Sequence, residues 1–88
     1  MKLINLINPT INFAELAMLC QQTDTLLLRQ DAVYLAARSD IKWPSATVLA
    51  LDTDLSVRQL LPHSAIGIVS AVQWVELTAT ASQVLLWR

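Results

Sequence analysis

Two groupings of side chains in this sequence could do covalent chemistry: an apolar run closed by two carboxylates, and a solitary thiol. Val48-Leu49-Ala50-Leu51 leads directly into Asp52-Thr53-Asp54. In a phosphoryl-transfer site one carboxylate of such a pair attacks phosphorus, the second moves the proton, and magnesium sits between them. That chemistry also needs a cation for the phosphoryl group and further acids for the metal. Asp52, Thr53 and Asp54 equally suit the start of a helix, where a capping side chain and first-turn acids satisfy free amides. Capping is the expected role here.

Cys20 is the one catalytic candidate, as a persulfide carrier. A reactive thiolate needs its pKa lowered by a helix N-terminus or a nearby cation. Cys20 is predicted near a helix C-terminus on the apolar face, where a thiol is disfavoured from ionising, so an inert core role is expected. Asp31 follows a strand at its carboxyl end, the edge where α/β sheets place ligands, and the plainer expectation is a helix N-cap. His63 sits in a Pro-containing loop with no Ser or Cys partner visible, and is expected to be solvated. Trp43, Trp74, Trp87 and Tyr34 fit core or contact roles. With a single Cys and a single His there is no disulfide and no set of soft metal ligands, and no cofactor is expected.

The elements that must position these residues can be read along the chain. Residues 2–7 read as a strand, and Asn8-Pro9-Thr10 turns the chain. Asn12, with Glu15 three residues on, predicts an N-cap and its reciprocal acid for a helix to about Gln22. Residues 25–29 form a second strand and residues 32–37 a short helix, followed by a polar connection over 38–44. Residues 46–51 form a third strand, with a helix to about Leu61. A break at Pro62-His63-Ser64, a strand over 65–69, a helix over 70–79 and a last strand over 83–87 complete the chain. The strands are uniformly apolar, as strands covered on both faces are. Their alternation with helices predicts right-handed crossovers and a mostly parallel sheet of about five strands. The expected fold is a three-layer α/β/α sandwich, a single domain over residues 1–88.

The residues AVILMFWYC make up 55% of the chain and only 15% are charged, against about 25% charged in ordinary soluble domains. A domain of 88 residues has too high a surface-to-volume ratio to hide all of that apolar material. A membrane span does not account for it. The longest uncharged stretch, residues 59–75, is interrupted by Pro62, His63, Ser64 and two glutamines, whereas a spanning helix needs about 20 predominantly apolar residues. Asn5, Asn8, Pro9, Asn12 and Glu15 break up any leader-like core before Cys20, which points to the cytoplasm. The basic residues Lys2, Arg29, Arg38, Lys42, Arg58 and Arg88 are scattered and the net charge is −1, so direct nucleic-acid binding is not expected. Protein partners are. The first helix is apolar nearly all round: Phe13, Leu16, Ala17 and Cys20 on one face, Ala14, Met18 and Leu19 on much of the rest. Such a helix is buried on more than one side. Ala14, Met18, Leu19 and the last strand with Trp87 are therefore the expected contact residues.

The Asn8-Pro9 turn, Leu26-Leu27-Leu28-Arg29-Gln30-Asp31-Ala32-Val33, Val48-Leu49-Ala50-Leu51-Asp52-Thr53-Asp54-Leu55, Trp74-Val75-Glu76-Leu77-Thr78 and the terminal Gln83…Trp87 together resemble the TusB/DsrH family, in order and nearly end to end. The family pattern has Gln-Asp-Gly where this chain has Gln30-Asp31-Ala32. The resemblance implies a DsrE/F/H-like α/β fold and a place beside TusC-like and TusD-like subunits. In the TusBCD complex, which holds two copies of each, persulfide sulfur passes from TusA towards TusE and the 2-thiouridine of the tRNA wobble position. It implies a non-catalytic role, the transferring cysteine lying in the TusD-type subunit. A DsrH-type subunit of a DsrEFH complex in sulfur oxidation is the alternative, and a Cys20-dependent sulfurtransferase the enzymatic rival.

Overall fold

The protein is described by a computed structural model covering residues 1–38 and 40–87. Ser39, within the expected 38–44 connection, and the basic residue Arg88 lie outside the described residues. Five strands, β1 (Lys2–Leu6), β2 (Thr25–Leu28), β3 (Thr47–Leu51), β4 (Gly67–Val69) and β5 (Gln83–Trp87), form one sheet in the order β4-β3-β2-β1-β5. Every neighbouring pair is parallel. Between them lie α1 (Phe13–Leu19), a 3₁₀ helix (Gln30–Ala37), α2 (Asp52–Val57) and α3 (Ala71–Thr80).

The chain steps from β1 through β4 in one direction and then crosses the whole sheet to lay β5 against β1. Right-handed crossovers therefore put α1, the 3₁₀ helix and α2 on one face and α3 alone on the other. Side chains alternate across the sheet accordingly. Ile4, Leu6, Leu26, Leu28, Val48 and Ala50 pack beneath Leu16, Val33, Leu35 and Leu55. Leu3, Leu27, Leu51 and Val69 pack beneath Trp74, Leu77 and Ala81. A parallel sheet buried on both faces is why the strands lack polar alternation.

Each helical segment departs from its sequence expectation for a local reason. Asn12 caps α1 as expected, its Oδ1 accepting from the Ala14 and Glu15 amides at 3.1 and 3.2 Å. The helix ends at Leu19 rather than Gln22. The Lys2 Nζ donates to the Leu19 carbonyl at 2.7 Å, and the Gln21 amide donates to Asp24 Oδ2 at 2.9 Å instead of continuing the helical ladder. The reciprocal arrangement expected of Asn12 and Glu15 is found instead at α3, where Ser70 Oγ accepts from the Gln73 amide and Gln73 Oε1 from the Ser70 amide.

The second helical segment is 3₁₀ throughout, starting at Gln30. Its sequence has a three-residue period: Ala32, Val33, Leu35 and Ala36 are buried while Asp31, Tyr34 and Ala37 are exposed. Side chains three apart eclipse in a 3₁₀ helix, so this period gives it one clean buried side. Asp31 is not its N-cap, which is Arg29. Gln30 takes the positive φ of 51°. The family's glycine is thus not needed at Ala32, which is fully buried within the 3₁₀ helix.

Likewise, α2 is not capped by its acids. Its N-cap is Leu51, with no side-chain bond. The helix stops at Val57 instead of about Leu61, because Gln59 turns left-handed at φ 53°. The Leu60 amide then reaches the Leu55 carbonyl at 3.0 Å and the Gln59 amide the Ser56 carbonyl at 3.1 Å, the hydrogen-bond pair of a Schellman termination.

At the amino edge of the sheet, Asp24 is a buried carboxylate. It accepts from the Lys2 amide at 3.0 Å and the Gln21 amide, and its Oδ2 lies 3.4 Å from the Lys2 ammonium. Burial pushes its pKa up, but the two amides and the Lys2 ammonium outweigh that and hold it below the ordinary value of 3.8. A depressed folded pKa means the stabilisation is complete above 3.8 and is lost as pH falls through the lowered value. Asp24→Asn should lower stability at neutral pH by about 1–3 kcal/mol. In denaturant titrations across pH it should also lose stability less steeply below pH 3.8. Gln59→Gly should stabilise the fold by about 0.5–1 kcal/mol, read as a higher denaturation midpoint, because glycine takes the left-handed conformation without the Cβ penalty.

Candidate functional site

Cys20 closes α1 in extended backbone and is 7% exposed. Its Sγ donates to the Gln21 carbonyl at 3.4 Å. Burial, followed by the negative charge of Asp24, pushes the thiol pKa above 9.0, and Lys2 offsets this only in part. The charge that acts on the thiol most strongly is thus the wrong sign for a nucleophile. The sequence placed Cys20 correctly at the helix end on the apolar face, but the carboxylate beside it was not foreseen.

The Asp52–Asp54 pair is split by its surroundings. Asp54 accepts from the Gln30 amide at 2.9 Å and lies 3.6 Å from Arg58. Arg58 also holds Asp31 at 2.9 Å and stands 5.9 Å from the Tyr34 ring. Asp31 and Asp54 thereby tie the 3₁₀ helix to α2 through one guanidinium, in place of the capping expected of each. Asp52 Oδ1 is buried without a hydrogen-bond partner in the protein. Among the described residues no three His, Cys, Asp or Glu side chains group to hold a metal ion. His63 is exposed, its Nδ1 accepting from the Ala65 amide at 3.2 Å.

The aromatic side chains divide between the two faces. Trp43 meets Phe13 edge-on at 5.6 Å, and Trp87 is half-buried against the same core. Trp74 lies on the opposite face, with the Arg29 guanidinium 4.0 Å above its ring. Sequence reading gave Arg29 no role. Its position directly after an apolar strand was the available signal.

Of the expected contact residues, Ala14, Met18 and Leu19 are exposed, Met18 to 89%. The burial of α1 comes from Phe13, Leu16 and Cys20, while Ala17 faces outward despite its spacing. The structure adds apolar surface on α3 that the sequence reading missed, beside the last strand that it named. Helix α3 has no buried residue, and Val72 and Val75 on its outer side are 68% and 64% exposed. Val84 and Leu86 of β5 point to the α3 face and are exposed, because α3 reaches only the strands beside them. The folded chain exposes 5187 Å², close to the roughly 5,200 Å² expected of a closed monomer of this mass. The domain is as compact as its size allows, so its apolar surplus is a matter of what the surface is made of.

These features define a small all-parallel α/β sandwich whose single thiol is shielded. The model of the DsrH-like protein family matches residues 9–84, and the chain belongs to that family of sulfur-relay subunits. No curated protein matches the sequence. No helix among the described residues is long and apolar enough to cross a membrane.

The shielding of Cys20 has a direct chemical consequence. Iodoacetamide at pH 8 should alkylate the native protein more slowly than a free cysteine peptide, since burial covers the sulfur and the raised pKa withholds its thiolate. Denaturant should abolish the difference, with labelling followed by intact-mass measurement.

Proposed function

We propose that this chain is a non-catalytic, structural or modulatory subunit of a TusBCD-type cytoplasmic complex that passes persulfide sulfur towards 2-thiouridine at the tRNA wobble position. Membership of the DsrH-like family supports a sulfur-relay setting. The observation that carries the non-catalytic role is the Cys20 thiol, buried beside Asp24 with its pKa raised. A persulfide carrier must present a thiolate to its donor and acceptor, and this sulfur does neither. The transferring cysteine then belongs to a TusD-like partner, and this chain supplies contact surface.

Surface composition supports that division. Met18 and Leu19 on α1, Val72 and Val75 on α3, and Val84 and Leu86 on β5 are exposed apolar side chains in a chain with few charges. A permanent contact covers about 800 Å² per partner or more. Strand β5 is also an edge strand without charge or proline among Gln83–Trp87, and natural proteins rarely leave such edges uncovered. Ala14, Met18, Leu19 and Trp87 are the proposed contact residues, and any connection to TusA, TusE or RNA is indirect.

Co-expressed with TusC-like and TusD-like chains, the protein should co-purify with both and elute as a hetero-oligomer. A lone chain that stays monomeric and soluble, and ignores both partners, would overturn the proposal. In the reconstituted complex Cys20→Ser should leave thiolation within about twofold of wild type, a difference of about 0.4 kcal/mol. Loss of thiolation with assembly intact would move sulfur carriage to Cys20. Pairing instead with DsrE-like and DsrF-like chains would assign the sulfur-oxidation complex.

A further inference from the structure

The two edges of the sheet are built differently, and only one of them is blunted. Strand β4 closes one side with the three residues Gly67–Val69. So short an edge offers few free amides and carbonyls to another chain. Strand β5 closes the other side with five residues, Gln83-Val84-Leu85-Leu86-Trp87, all five paired with β1 in one unbroken parallel register. A strand paired on one side presents its remaining N–H and C=O groups outward. Natural edges of this length are guarded by charge, proline or a bulge. Gln83–Trp87 has no charge, no proline and no break in its register.

The side chains limit what can lie against this edge. Val84 and Leu86, on the α3 face, are 44% and 50% exposed. Leu85 and Trp87, on the other face, are only partly buried against the core. An added strand must therefore be apolar on both faces. A strand that alternates apolar with polar, as in a sheet with one wet face, would set polar side chains against one of these two rows.

Strand β5 itself meets the requirement. Rotated by a two-fold axis normal to the sheet at Leu85, a second β5 meets the first in antiparallel register. Leu85 then faces Leu85 of the second copy, Val84 faces its Leu86, and Gln83 faces its Trp87. Positions 84 and 86 share one face of the pleat, so every pair stays on its own side of the joined sheet. No charge within Gln83–Trp87 meets its own image, the arrangement that destabilises opposed strands. The rotation also closes the assembly, because the same edge is used on both copies. Head-to-tail addition would set the five residues of β5 on the three of β4, leave two unpaired and continue without end.

We propose that β5 is the seat of a two-fold contact between two copies of this chain, antiparallel and centred on Leu85, which joins their sheets into one. The contact needs no sister subunit, and the sulfur-relay reading does not depend on it.

The test is the mass of the full chain, expressed alone, measured by light scattering over a concentration series reaching the millimolar range. A monomer–dimer equilibrium with no larger species is expected. Leu86→Lys alters a side chain that is half exposed in the single chain. It sets a charge against Val84 of the second copy at two symmetric places, and should weaken the dimer at least about tenfold. Val84→Glu should act in the same direction. Mixed together, the two variants should pair with each other, since the register sets position 86 of one copy against position 84 of the other. A chain that is monomeric throughout, a dimer that neither variant weakens, open-ended association, or variants that do not pair on mixing would overturn the inference. A monomeric chain that still binds TusC-like and TusD-like subunits would overturn this inference alone and leave the proposed function standing.

Discussion

The buried carboxylate of Asp24 is the interaction on which the rest of this fold is hung. It takes the amide of Lys2 at the start of β1, the amide of Gln21 at the end of α1 and the Lys2 ammonium at once. Those contacts stop α1 at Leu19 and set the register in which Leu3 faces Thr25. Ser45 extends the same knot to the third strand, its hydroxyl donating to the Asp24 carbonyl and accepting from the Thr47 amide at 3.2 Å. An acid buried this deeply stabilises only while each of its oxygens is satisfied. Asp24 meets that condition through Lys2 at the start of β1 and Gln21 just beyond α1.

From that fixed edge, the handedness of the crossovers decides how the layers are filled. Three helical segments fall on one face and α3 alone on the other. One ten-residue helix is too narrow for a five-stranded sheet. Leu27 and Leu51 are sealed beneath it, but Val84 and Leu86 on β5 are not. The uneven layering turns an ordinary apolar strand into a candidate contact surface. It also leaves Val72 and Val75 directed away from the only core available to α3.

Polar groups are distributed just as unevenly, between the two ends of the strands. At the amino edge they are paired around Asp24, and the one thiol nearby is suppressed by burial and by that acid. At the carboxyl edge Arg29, Trp74 and Asp52 keep buried atoms unpaired. Arg58 meanwhile absorbs Asp31 and Asp54, the two acids that sequence spacing made most suggestive.

The sequence by itself determined the strand positions to within two residues, the strand–helix alternation of a mostly parallel sheet, the Asn12 cap and the placement of Cys20 near a helix end on its apolar face. These rest on local signals: uniform apolar runs, turn residues and a capping side chain next to the amides it serves. Helix lengths were less legible. The ends of α1 and α2 depend on Lys2 and Asp24 coming together from different elements and on a left-handed Gln59, a conformation that residue type does not announce. The 3₁₀ geometry of residues 30–37 was written in a three-residue period that is easily taken for a helical one. Only the tertiary structure decided which acids pair with Arg58, that Arg29 stacks on Trp74, and which apolar side chains stay outside. Apart from the local Arg58–Asp54 pair, those outcomes depend on the order of strands in the sheet, which brings together residues 27 to 80 positions apart, and no local pattern encodes that order.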